Sequence, residues 1–216
     1  MKTQMASAVS TAGCLVDDRP KENADNLQLQ TLLGDIRIDL TPELIRKVNL
    51  IDNEDYSTVI RKAREDHAYS LEQLEMGVYG LKLYYILPLL DPKNAHAVSK
   101  FVDPFWHAHV LHSHQYAGFC HRIYGHHLCH IPLNRQDKEQ MANIAVVYDY
   151  TIEILTKILG RRPDRKLYPE ASTDAYICWG SGTWDKEVCQ SALFPEDERG
   201  VCIIAQRLND QYAYAF

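Results

Sequence analysis

The stretch Leu71–Leu90, LEQLEMGVYGLKLYYILPLL, constrains the fold more than any other part of this 216-residue chain. Ser70 followed by Gln73 forms a capping-box pattern, in which side chains at both positions satisfy backbone N–H groups and so open a helix. Beyond Val78 the helix is apolar nearly all round, with no face to offer to water, so it must lie in the centre of the molecule. The longest apolar run, about 81–90, contains Lys82 and Pro88 and is too short to cross a bilayer. A buried core helix, ended by Pro88 and Asp91-Pro92, is the expectation.

A central helix needs others to cover it. Thr41 is suited to an N-cap and Pro42 to the first helical position, where its missing N–H costs nothing, so a helix is expected at about Pro42–Asp52. Another runs through TVIRKAREDHAY. A long amphipathic one, MANIAVVYDYTIEILTKILG, is ended by Gly160 and the following Arg161-Arg162-Pro163. The pattern predicts a mostly α, compact, multi-helix bundle-like domain with an irregular C-terminal part that has room for a short β-hairpin. Residues 1–38 read as a flexible tail and docking segment, 39–165 as the helical core, and 166–216 as an irregular segment on or trailing from it. In that last part VCII at 201–204 is β-like, and Gly180-Ser-Gly182 between two tryptophans is a turn signal.

Charge and cysteine usage exclude several classes. With 29 acids against 23 bases the net charge is −6, which argues against nucleic-acid binding driven by overall charge. No leader-like apolar run opens the chain, and the six cysteines are scattered without a CxxC pair, so reduced thiols and a cytoplasmic location are expected. No membrane partner is expected either. Nucleophile elbow, phosphate loop and dinucleotide fingerprint are all missing.

Histidine is the chemical signal. Ten are present, and eight of them (107, 109, 112, 114, 121, 126, 127 and 130) fall within 24 residues. On a single helix over 103–123, one face carries Val102, Phe105, Trp106, His109, Tyr116 and Cys120 and should pack on the core. The adjacent face carries Asp103, His107, Val110, His114 and His121. Asp103 and His107, four apart, lie one turn from each other, the spacing by which a helix offers two ligands to one metal. Past a stop at Gly125 the chain can turn back, so that His126, His127 or His130 supplies a third. Each residue also has a plainer reading. Asp103 before Pro104 is a good helix cap, and histidines late in a helix complement its dipole. Cys120 on an apolar face would have a raised pKa, which disfavours it as a nucleophile.

The residues Asp103-Pro-Phe-Trp106-His107-Ala-His109, with Tyr116, Cys120, Gly125 and His130-Ile-Pro132, resemble the signature of the glycine-rich domain-containing protein-like family. Upstream, YYILPLL at 84–90 is similar to the helix that precedes it there, so the likeness covers about 40–132. The resemblance implies a cytosolic location and gives weight to His109, Tyr116, Cys120 and His130, without implying a reaction. The chain departs from that pattern at Pro104 and lacks the glycine-rich extension of the plant members.

Two functions follow. In the first, Asp103, His107 and His130, with His114 able to replace Asp103, hold Fe(II) or Zn(II) in a metal-dependent enzyme acting on a small organic substrate. His109 and Tyr116 act there as catalytic or supporting groups. Iron would give oxidoreductase chemistry, the favoured direction, and zinc a hydrolase or lyase. In the second, the W-H-x-H segment is a structural polar network or a metal staple in a non-catalytic interaction module.

Overall fold

The capping box forms as the sequence requires. Ser70 Oγ accepts from Gln73 N–H at 3.3 Å and the Gln73 side chain accepts from Ser70 N–H at 2.9 Å, opening helix α3 (Leu71–Leu90). The computed structural model describes residues 27–128, 131–132, 136, 138–170 and 176–181. Every position of α3 from Gly77 to Pro88 is buried. Pro88 does not end the helix as expected. So near the C-terminus its missing N–H removes only one bond of the ladder, and the helix continues to Leu90 before Asp91 caps it.

Around α3 lie α1 (Pro42–Asp52), α2 (Ser57–His67), α4 (Asp103–Leu111), α5 (Ser113–Tyr124) and α6 (Lys138–Leu159), so the fold is mostly α. Thr41 caps α1 through its side chain, with Pro42 at the start. Two glycines with positive φ, Gly125 (80°) and Gly160 (64°), follow α5 and α6, where the left-handed conformation favours a residue without Cβ. Residues 27–38 are fastened to the helices. Leu32 N–H donates to the Asp52 carboxylate at 2.9 Å and Arg37 N–H to Ile158 O at 2.7 Å. Lys82, the charge in the central helix, is buried but satisfied by Gln30 O at 2.9 Å and Asp52 Oδ1 at 3.3 Å.

Strands β1 (Ala95–Ser99), β2 (Ile131–Pro132) and β3 (Tyr176–Ser181) form one antiparallel sheet in the order β1-β3-β2. Within the C-terminal segment expected to be irregular with room for a short hairpin, Tyr176–Ser181 is a strand whose partners are β1 and β2. β3 inserts between two strands far away in sequence, and Gly180 lies in it opposite His96 rather than in a turn. Such pairing leaves no local signature. The β-like 201–204 lies outside the described residues. Helix α6 docks on the sheet where Thr151 Oγ accepts from Ala97 N–H at 3.0 Å and donates to Val147 O at 2.8 Å.

Candidate functional site

Helix α4 approaches α3 closely because α3 presents a glycine. A Cβ on Gly77 would come within 1.9 Å of the Phe105 ring. Val102 takes the N-cap position, with Asp103 and Pro104 following inside the helix, so Asp103 is a first-turn residue and not the expected cap. Its carboxylate there still complements the helix dipole. The single helix expected over 103–123 is broken. His112 leaves the helical conformation (φ −85°, ψ 61°), its Nδ1–H donates to Ala108 O at 2.7 Å, and α5 starts afresh at Ser113. The helical periodicity that set His114 beside His107 therefore stops at His112, and His114 is exposed on α5.

The inner face of α4 carries Phe105, Trp106, Ala108 and His109, all buried. His109 sits among four aromatic rings, with Tyr56, Tyr116 and Phe119 at centroid distances of 6.2, 5.1 and 5.1 Å. The fourth, Tyr85, brings its hydroxyl within 2.8 Å of His109 Nδ1, while Nε2 has no hydrogen-bond partner among the described residues. Burial pushes the imidazole down to about 4, with the charges of His112 and Arg122 acting in the same sense, so His109 is neutral at pH 7. Beside it Trp106 Nε1–H donates to Tyr116 Oη at 3.0 Å, and Tyr116 donates to Leu128 O at 2.8 Å. This chain ties the turn after α5 to α4. Burial raises the Cys120 thiol above its ordinary value, which agrees with an inert core cysteine.

The outer face carries the pair the spacing pointed to. His107 Nδ1 lies 3.8 Å from Asp103 Oδ2, with the imidazole side chain 47% exposed and the carboxylate side chain 3% exposed. Tyr69 stacks on Phe105 at 5.4 Å. Its phenol is raised by burial and by the Asp103 charge, which places the carboxylate beside this aromatic patch. The structure thus brings Asp103 and His107 together and keeps His109 and Tyr116 in the core behind them. His130 lies outside the described residues. Among the described residues no group of three His, Cys, Asp or Glu side chains converges as a metal site.

One cluster escaped the sequence reading. His96, on β1 and fully buried, has Nε2 3.3 Å from Asp91 Oδ2 and stacks on Tyr150 at 5.8 Å. Asp91 also accepts from Tyr150 Oη and Asn94 Nδ2, each at 2.7 Å. Burial would raise the Asp91 carboxyl, but these hydrogen bonds and His96 outweigh it and hold it below the usual carboxylate range. The only local hint is an acid, an amide and a histidine spaced over Asp91–His96, at a helix end.

None of the α3 helix nor any other among the described residues is long and apolar enough to cross a membrane. A model of the UCP032817-like family matches residues 46–167, whereas no curated protein and no solved structure matches the chain. This corrects the expected membership of the glycine-rich domain-containing protein-like family. The matched span runs past Pro132, where that resemblance ended, through α6 to Leu167. With more than half of its 216 residues inside the span, the chain belongs to the UCP032817-like family.

Proposed function

We propose that this protein binds a divalent metal, Fe(II) or Zn(II), at the outer face of α4 and acts as a metal-dependent enzyme on a small organic substrate. The observation that carries the reading is the Asp103–His107 pair. A nearly buried carboxylate stands 3.8 Å from a half-exposed imidazole nitrogen, a gap that one ion with bonds of about 2.0–2.2 Å to each can bridge. Asp103 is held rigidly by the first turn of α4 and by burial, while His107 faces solvent, where a substrate arrives. His130 is the third ligand of this reading, and His114 is left as an exposed reserve. The metal would supply Lewis-acid or redox chemistry, with oxidoreductase chemistry favoured. His109, neutral and enclosed, and Tyr116, bonded to Leu128 O, act by fixing α4 and the turn behind it.

The test is elemental analysis of untagged protein, wild type and His107→Ala, with folding followed by circular dichroism. Stoichiometric metal in the wild type, lost in the variant while the fold persists, supports the enzyme. Metal-free protein under iron- and zinc-replete growth removes it.

A second reading has its own support in the Tyr85–His109 bond and the Trp106–Tyr116–Leu128 chain. Here the W-H-x-H segment is a structural polar network in a non-catalytic helical module. Unfolding upon chelation would mark any metal as a staple, since binding free energy is then folding free energy.

A further inference from the structure

The basic run after α6 opens a cleft that the proposed metal site does not use. Residues on one stripe of α3, Glu72, Glu75, Met76, Tyr79 and Leu83, form the floor of a cavity of about 350 Å³. Gln28 and Gln30 line one side, and Arg161, Pro163, Asp164 and Leu167 line the other. This volume is in the range of small-molecule sites. Met76, Leu83, Leu159 and Leu167 give its wall apolar surface, and Glu72, Glu75, Arg161 and Asp164 give it charge.

The acids stand at the N-terminal end of α3. Glu72 already attracts an ammonium, that of Lys166 at 3.9 Å, with both side chains largely exposed and free to exchange partners. Glu75 uses one oxygen to accept from Gln28 N–H at 2.7 Å, leaving its second oxygen without a hydrogen bond among the described residues. The cation stands at the other end. Tyr79 Oη donates to Asp35 Oδ2 at 2.5 Å, and Arg161 reaches the same carboxylate only loosely, at 3.9 Å, which sets its guanidinium near the Tyr79 hydroxyl. Asp164 has one oxygen committed to Lys166 N–H at 2.8 Å.

We propose that this cleft binds a short zwitterionic peptide of two or three residues with apolar side chains. Its ammonium would lie at Glu72 and Glu75, its carboxylate at Arg161, and its side chains on the apolar wall. Spacing sets the length. Seven residues of helix separate Glu72 from Tyr79, about 10 Å at 1.5 Å per residue, and four separate Glu75 from Tyr79, about 6 Å. An extended chain covers about 3.3–3.6 Å per residue, so two or three residues span the gap and a single amino acid does not. A free carboxylate also gives Arg161 a bidentate partner better than its present contact with Asp35. The site shares no residue with the Asp103–His107 pair and stands or falls independently of the metal.

Leucyl-leucine titrated into the full chain by calorimetry tests the proposal, beside leucine, N-acetyl-leucyl-leucine and leucyl-leucine amide. The dipeptide should bind more tightly than leucine, and blocking either end should weaken it by about tenfold or more. In Arg161→Gln the cost of amidation should vanish while that of acetylation remains. In the Glu72→Gln/Glu75→Gln double variant the reverse should hold. Circular dichroism confirms that both variants are folded. No binding of leucyl-leucine at about 10 mM overturns the proposal. So does equal binding of free and blocked peptides, binding of leucine as tight as that of the dipeptide, or end-group costs unaltered by the variants.

Discussion

His107 and His109 stand two residues apart on α4 and meet opposite media. His107 is half-exposed with a carboxylate at 3.8 Å, whereas His109 is enclosed by four aromatic rings with a phenol as its hydrogen-bond partner. Just over half a helical turn makes the same side chain a group open to ligation at one position and a group confined to packing at the other. The difference is set by neighbours and not by chemistry of the imidazole itself. Beside His107 the Asp103 carboxylate would offer a metal ion a second ligand. Around His109 desolvation penalises any charge, and no carboxylate offsets it.

The contrast is broken most severely by His109→Ala. The variant opens a cavity between α3, α4 and α5 and leaves the buried Tyr85 hydroxyl without its partner, so a loss of about 3–5 kcal/mol is expected in denaturant unfolding. A value below about 1 kcal/mol would mean that the enclosure is loose.

Acid attacks the same point. The folded His109 titrates at about 4 against an ordinary 6.5, so the unfolded chain takes up this proton first. Stability is therefore full above the ordinary histidine range and falls as pH drops from about 6.5 to 4, by about 3 kcal/mol in all. Asp91, held below the usual carboxylate range, adds a separate loss only at lower pH, as it is protonated. Unfolding curves at pH 7 and pH 4.5 measure the histidine contribution, and His109→Phe should flatten it. A pH slope unchanged in that variant would assign the acid response elsewhere.

Tyr116→Phe sharpens the comparison within the core. It removes the acceptor of Trp106 Nε1–H and the donor to Leu128 O, for an expected cost of about 1–3 kcal/mol. Trp106 fluorescence should shift with it, since its indole N–H loses its bond.

His107→Ala carries the smallest stability effect. An exposed side chain leaves no cavity, and the change should stay within about 0.5 kcal/mol while removing any bound metal. A large destabilisation here, with metal present, would identify a staple and erase the distinction between the two histidines.

How far the chain could be read depended on how local each cause was. Thr41-Pro42, Ser70 with Gln73, Gly125 and Gly160 act through bonds within one turn, and the helices they bound were legible from those residues alone. So was the division of α4 into a buried face with Trp106 and His109 and an open one with His107, because 3.6-residue periodicity holds for one short helix. It failed at His112, where a side chain captured the Ala108 carbonyl and reset the phase. It failed for β3 and for His96 for another reason. Their partners, Ala95–Ser99 against Tyr176–Ser181 and His96 against Asp91 and Tyr150, are joined by the packing of α6 on the sheet.

By itself the sequence determined a central helix that had to be covered, the covering helices, and a crowd of histidines placed where one helix face could present an acid and an imidazole together. Only the tertiary structure decided which histidines are enclosed. Periodicity orders residues around one axis, whereas burial depends on what other segments bring to that axis. Gly77 lets Phe105 close on α3, Tyr85 and Tyr116 close over His109, and among the described residues the His107 side chain stays half-exposed.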